Sequence, residues 1–304
     1  MNWDVVIGLE IHTQLATKSK IFSGSSTQYG ASPNSQASLV DLGYPGVLPV
    51  LNRDAVCMAI KFGLATGCQI SPRSIFARKN YFYPDLPKGY QITQFDSPLC
   101  ENGYIDLDTN KKIRIVRAHL EEDAGKTIHT LEGDALIDYN RCGAPLLEIV
   151  SAPDMSSAED ALGYLKSLKE IITSIKASDC DMEKGNLRVD LNISVMPKGS
   201  KQLGTRREVK NVNSFKNIEK AIHYEFINQC QKIEAGESID QETLLWDDKK
   251  GVTRSIRSKE DAHDYRYFPE PDLPPLEISD NLIKEIKKLI PELPRQIRQT
   301  LSSQ

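Results

Sequence analysis

No two of the six cysteines in this sequence stand in CxxC spacing; they lie singly at 57, 68, 100, 142, 180 and 230. That scatter argues against both a thiolate zinc site and a secreted disulfide framework, so reduced thiols are expected. Long apolar runs are missing too. None approaches the roughly 18 residues that span a bilayer, and the opening MNWDVV has neither a basic segment nor an apolar signal core. A cytoplasmic chain with no membrane partner is the expectation. Positive charge is not in excess: 38 Lys and Arg stand against 42 Asp and Glu, for a net charge of -4 over 304 residues. A nucleic-acid partner would have to be met by a local basic patch or by another polypeptide. A P-loop is also absent, because the first glycine before Gly125-Lys126-Thr127 would fall at Leu120 and no amphipathic helix follows.

What the chain does have is an opening strand with two unlike faces. From Val5 to Leu15 the odd positions are apolar, Thr13 excepted, while the even ones carry Gly8, Glu10, His12 and Gln14. Period-2 alternation marks a strand, so Glu10 and His12 project together. Two readings stay open: a ligand-binding face where Gly8 leaves room for close approach, or the solvated face of an edge strand. In PLLEIV, Glu148 sits inside an apolar run from Pro145 to Val150 and requires a cation or hydrogen-bond donors. NLRVDLNISV alternates strictly, with Asn186, Arg188, Asp190, Asn192 and Ser194 on one face. That row fits a ligand-lined sheet or a wet one. His119, Glu121, Glu122 and Asp123, at the end of another strand, are possible metal ligands or a solvated turn.

Helices are predicted from Asn52 as N-cap over Arg53 to Thr66, from Ser156 or Ser157 to about Lys176, and from Ser214 to just before Gly236. A last helical pattern from Asp280 is interrupted by Pro291 and Pro294, where a domain boundary is placed. RKNYFYPDLPKGYQITQFD, Arg78 to Asp96, mixes aromatics and cations with proline and glycine and reads as an irregular loop. Arg78 and Lys79 suit phosphate, and Tyr81, Phe82 and Tyr83 suit stacking on a base. An aromatic-anchored structural loop is the other reading.

Taken in order, VIGLEIHTQL, YPGVLPVLN, RKNYFYPDLPKGYQITQFD, HLEEDAGK, APLLEIVSAPD, NLRVDLNISV, EVKNVNSF and DYRYFPEPD resemble the B-subunit family of tRNA-dependent amidotransferases, over residues 1 to about 290. The resemblance implies an α+β cradle on a mainly antiparallel sheet with flanking helices, similar to glutamine synthetase in its catalytic fold. Residues 291–304 would begin a helical domain. It further implies an ATP-dependent carbon–nitrogen ligase that uses magnesium, or manganese in its place, to phosphorylate the side-chain carboxylate of Glu-tRNA(Gln) or Asp-tRNA(Asn). Ammonia from an amidase-type A subunit then forms the amide, in a heterotrimer completed by a small C subunit. A non-catalytic scaffold that positions misacylated tRNA is the alternative.

By motif, the implied magnesium ligands are Glu10, His12, Glu122 and Glu148. Lys79 and Asp190 would hold the nucleotide or the aminoacyl end, with Arg78, Tyr81, Arg188, Asn192, Ser194, Lys210 and Asn213 lining the ATP and substrate site. Strand parity alone puts Glu121, not Glu122, on the face of His119 unless a bulge intervenes. Where some family members carry paired zinc cysteines, this sequence has Ser23, Ser25, Ser38 and Asp41, so no zinc is expected. The family continues past this C-terminus into domains that grip tRNA, so a truncated form with weak tRNA affinity is expected.

Overall fold

The opening alternation holds from Ile7 onward in β1 (Trp3–Gln14), which buries Ile7, Leu9, Ile11 and Thr13 and turns the even-numbered side chains between them the other way. The computed structural model describes residues 2–258 and 264–302. After β1 come α1 (Arg53–Ala65), β2 (Gln69–Ile70), β3 (Arg73–Ser74), β4 (Ala77–Asn80), β5 (Tyr90–Thr93), β6 (Cys100–Asp106) and β7 (Lys112–Glu122). The hairpin β8 (Lys126–His129) and β9 (Ala135–Asp138) leads to β10 (Pro145–Ser151), α2 (Ala158–Ser174), β11 (Leu187–Pro197) and β12 (Arg207–Lys210). Then follow α3 (Phe215–Glu234), β13 (Glu242–Asp247), β14 (Val252–Ser258), β15 (Phe268–Pro269), β16 (Leu276–Glu277), α4 (Asp280–Lys287) and α5 (Pro294–Ser302).

Asn52, Ser157 and Ser214 N-cap the first three helices as predicted, each side-chain oxygen accepting a first-turn N–H. Among the described residues, twelve strands form one sheet whose main path runs β14-β13-β12-β11-β1-β10-β7-β5-β4-β15. Its pairings are antiparallel except β12 with β13, so the α+β, mainly antiparallel expectation holds. β1 is not an edge strand: it lies between β10 and β11, and the solvated-edge reading of Glu10 and His12 falls. Helix α3 packs on β11, α2 on α3 and β6, and α1 on β6 and β7. Ile7, Leu9 and Ile11 thereby meet a core containing Leu165, Leu168, Ile218 and Ile222, and burying each such side chain contributes about 1.5–3 kcal/mol. No helix among the described residues is long and apolar enough to cross a membrane.

Two local expectations change. Arg78 to Asp96 is not one irregular loop, since β4 and β5 pair through it on either side of a turn at 81–89. Long-range pairing supplies the strands that the proline- and glycine-rich sequence hides. Gly8 does admit a close approach, but of the chain itself: residues 151–155 cross there, with Ser151 Oγ accepting from Leu9 N and Met155 O from Ile7 N. The open polar face begins at Glu10.

Candidate active site

Register sets the site. His12 pairs with Glu148 on one side and Arg188 on the other, Glu10 with Asp190, and Glu148 with His119. Four neighbouring strands thus place their polar rows side by side. Nε2 of His12 lies 3.4 Å from Glu148 Oε2, 3.5 Å from Glu121 Oε1 and 3.8 Å from Glu10 Oε1. On its far side Glu148 meets His119 Nε2 at 3.4 Å and Arg117 at 3.5 Å. The partner demanded by a carboxylate in an apolar run is therefore a pair of imidazoles and a guanidinium. His119 Nδ1 is buried and has no hydrogen-bond partner among the described residues.

Charge is divided unequally in this cluster. Burial opposes ionisation of Glu148, yet the hydrogen bonds and charges of His119 and His12 hold its carboxyl well below the usual range. Glu10 and Glu121 are pushed upward, first by burial and then by the charge on Glu148. Burial works against an imidazolium at His12, but the bond to Glu148 and the fields of Glu121, Glu148 and Glu10 outweigh it and raise the group to about 9. In the metal-free chain the folded value thus lies above the ordinary 6.5. The stabilisation from His12 is complete below that pH and fades as pH rises through 9. An NMR titration is expected to place the His12 transition well above neutrality in metal-free buffer; a midpoint at the ordinary histidine value contradicts the cluster.

The placement of the expected ligands requires one correction. Glu122 points away from the cluster: its Oε1 accepts from Lys88 Nζ at 2.5 Å and from Ile92 N at 2.8 Å. Without a bulge at that point, parity puts Glu121 beside His12 and Glu148, and Glu122 on the opposite face. The same parity separates Arg78 from Lys79. Arg78 is clamped bidentately by Glu270 at 2.7 and 2.8 Å and lies over Tyr90, so it is not free for phosphate as expected. Lys79 faces the cluster. Its ammonium sits 4.8 Å from the Tyr265 ring centroid and 5.9 Å from that of Tyr81. Burial lowers its proton affinity, but Glu121, the two tyrosines Tyr267 and Tyr265, and Glu148 more than restore it, so it stays charged.

Asp190 receives Lys210 Nζ at 2.6 Å, and the same ammonium reaches Glu208 at 2.9 Å. Arg188 donates to Asp123 at 2.5 Å, which Arg141 also approaches at 3.4 Å. Asn192 lies opposite Gly8, where residues 151–155 cross, and buried Ser194 lies opposite Val6. Neither joins the cluster. Tyr81 borders it, its hydroxyl pushed upward by burial and by Glu121. Asn213 donates to Asn211 and, with Arg188, Arg141 and Lys126, lines a cavity of about 880 Å³ beyond Gln14. Sequence reasoning gave no role to Arg117, Tyr265 and Tyr267; the repeated aromatics of DYRYF were the available signal.

The donor set fits a divalent cation. Cis ligands of octahedral magnesium stand about 3.0 Å apart and trans ligands about 4.2 Å, from bonds of about 2.1 Å. Donor atoms of His12, Glu121 and Glu148 lie within 4.8 Å of one another, as do those of Glu10, His12 and Asp190. Carboxylates with one imidazole suit magnesium or manganese.

Fold and cluster together define a mainly antiparallel sheet with a carboxylate–histidine cluster on its open face. The chain belongs to the GatB/GatE catalytic-domain family, whose model matches residues 5–284. It is 58% identical to the B subunit of an aspartyl/glutamyl-tRNA(Asn/Gln) amidotransferase from Nitrosospira multiformis over 98% of its own length. Subunits of the same name from Thioalkalivibrio sulfidiphilus and Coxiella burnetii are 58% and 54% identical over 97% and 100% of the chain. The chain spans 62%, 63% and 65% of these three relatives.

Proposed function

We propose that the chain is the catalytic cradle of a tRNA-dependent amidotransferase, a glutamine synthetase-like fold that activates the side-chain carboxylate of Glu-tRNA(Gln) or Asp-tRNA(Asn) with ATP. One observation carries this reading: Glu10, His12, Glu121, Glu148 and Lys79 converge on the open face of one sheet. A carboxylate resists attack by ammonia until one oxygen becomes a leaving group. In the reaction proposed, that oxygen attacks the γ-phosphorus, the bond to ADP breaks, and an acyl phosphate forms. The lone pair of ammonia, supplied by an amidase-type A subunit in a complex with a small C subunit, then displaces inorganic phosphate, and nitrogen loses a proton to give the amide.

Magnesium, held by Glu121, Glu148 and His12 with Glu10 and Asp190 beside them, would neutralise charge on the phosphate oxygens. Lys79 presents a fixed ammonium to the same oxygens. Arg188 and Asn213 line the adjoining cavity, which has the size of a small-ligand site.

The test is tRNA-dependent ATP consumption by the assembled complex carrying Glu10→Ala or Glu121→Ala, with manganese binding followed in parallel. Each variant is expected to lose at least about tenfold in both readouts, since removing even an outer partner of a metal ligand costs about 10–100-fold. Glu122→Ala is expected to leave manganese affinity within about threefold while destabilising the fold, because it strands buried Lys88. If Glu10→Ala and Glu121→Ala keep wild-type ATP consumption and lose only tRNA binding, the chain is a positioning scaffold.

A further inference from the structure

Aromatic side chains make up 7% of the chain, yet five of them join into an unbroken ladder beside the cluster. Tyr83 meets Tyr81 edge-on at a centroid distance of 6.3 Å, Tyr81 meets Tyr265 at 6.1 Å, and Tyr265 meets Tyr267 at 5.9 Å. Tyr267 then lies flat on Phe95, 3.9 Å away with 4° between the planes. Both ends are open, Tyr83 being 60% and Phe95 48% exposed, while the middle rungs are half-buried. Lys79 sits under Tyr81 and Tyr265, and Tyr267 feels the charges of Lys79, Glu148 and Glu121. The ladder therefore leads from solvent to the edge of the carboxylate cluster.

We propose that this ladder is a stacking track for the unpaired 3′-terminal nucleotides of the acylated RNA, holding them by their bases more than by their phosphates. The inference rests on the tRNA-dependent reading above. The free side-chain carboxylate of an amino acid whose α-carboxyl is esterified to a terminal ribose can reach Lys79 and Glu121 only if the last nucleotides are single-stranded and seated beside them. Aromatic rings serve that need with any base, each stacked base contributing about 1–3 kcal/mol. Among the described residues, the ladder-building segments expose aromatics, Phe82, Tyr83, Phe95 and Phe268, and no large aliphatic side chain, whereas a protein-covered face would mix in aliphatics.

Apart from Lys79, which faces the cluster, the described cations of these segments lie against carboxylates. Arg78 is held by Glu270, Lys88 by Glu122, and Arg266 faces Asp264 at 3.3 Å. With few uncommitted cations beside it, the ladder neutralises few phosphates, and binding there depends weakly on salt.

The experiment titrates RNA hairpins, blunt or with a short 3′ overhang ending in 2-aminopurine, into the chain and its Phe95→Leu, Tyr83→Leu and Phe95→Trp variants. The overhang is expected to improve affinity at least about tenfold and to quench the terminal base. Each leucine substitution is expected to remove about fivefold to tenfold of that gain, and Phe95→Trp to retain it. Between about 50 and 200 mM salt the affinity should change by less than about tenfold, against the 10³–10⁵-fold of a phosphate-dominated site. Equal binding of blunt and overhang hairpins, or unchanged affinity in both leucine variants, overturns the proposal. So does a leucine variant that fails to join partner subunits while binding RNA like the wild type, which would mark a protein-covered face. Manganese binding separates the two readings: its absence with intact overhang preference condemns the metal centre alone, and the reverse condemns the ladder alone.

Discussion

Replacing Glu148 with alanine is expected to lower tRNA-dependent ATP consumption of the assembled complex on the order of a thousandfold and to abolish manganese binding at the cluster. Among the described residues, Glu148 is the only carboxylate there that touches both imidazoles, at 3.4 Å from His12 and from His119. The two imidazoles hold its carboxyl well below the usual range, while burial and the charge on Glu148 raise those of Glu10 and Glu121. Losing a charged ligand forfeits several kcal/mol of phosphate-charge stabilisation, and about 4 kcal/mol corresponds to about a thousandfold in rate. The fold should survive. Removing one like charge relieves Glu10 and Glu121, and this offsets part of the cost of unpairing two histidines. Glu148→Gln keeps an acceptor oxygen without the charge, so an activity nearer alanine than wild type would assign the effect to charge. The decisive measurements are phosphate release in the complex and manganese titration; wild-type values for Glu148→Ala in both would remove the metal centre from the reaction.

The polar face of the sheet was legible in the sequence because alternation is a local property. β1 and β11 bury their odd-numbered apolar residues as the period-2 pattern requires. Glu148 announced itself by its apolar surroundings. Which carboxylates meet was not legible, because that depends on pairing between strands far apart in the chain. Parity along β7 favoured Glu121, while motif matching chose Glu122; the register Glu148 with His119 settles the placement for Glu121. β12 was missed for the same reason. REVK has no apolar alternation of its own beyond Val209, and it becomes a strand only by lying between β11 and β13.

The buried ion networks escaped sequence reasoning more completely. Arg207, in the polar segment ahead of α3, is buried against Glu225 at 3.7 Å and Glu242 at 3.0 Å. Glu225 sits on the inner face of α3, where helical spacing alone would predict an apolar residue. A sequence shows that such residues exist but not that three elements bring them together, so their burial is a tertiary fact.

The largest expected loss of stability lies in the segment that follows the first strand. Ser23, Ser38 and Asp41 converge there around the ammonium of Lys20, which is 0% exposed. Asp41 accepts from Lys20 Nζ at 3.2 Å, Ser23 Oγ at 2.9 Å, and Ser38 N and Oγ at 2.8 and 3.0 Å. Among the described residues, Lys20 has only the Tyr139 carbonyl, at 3.4 Å, as a second acceptor. The two deletions should therefore differ. Asp41→Ala leaves a fully buried ammonium with one weak neutral partner and is expected to cost about 3–5 kcal/mol, the range for breaking a buried pair. Lys20→Met leaves a carboxylate that still has three donors from the serines and should cost less. The double variant Lys20→Met/Asp41→Leu should cost less than the sum, because neither charge is then stranded. Denaturant midpoints for the wild type, both single variants and the double variant give the coupling directly. Additive losses would mean that Lys20 and Asp41 act independently and that the serines alone hold the turn. The knot also ties residues 19–41 to the Tyr139–Gly143 turn, and Gln28, Gln36 and Arg141 from these segments line the large cavity. Loosening it should therefore widen that cavity and weaken whatever binds there before the sheet itself unfolds.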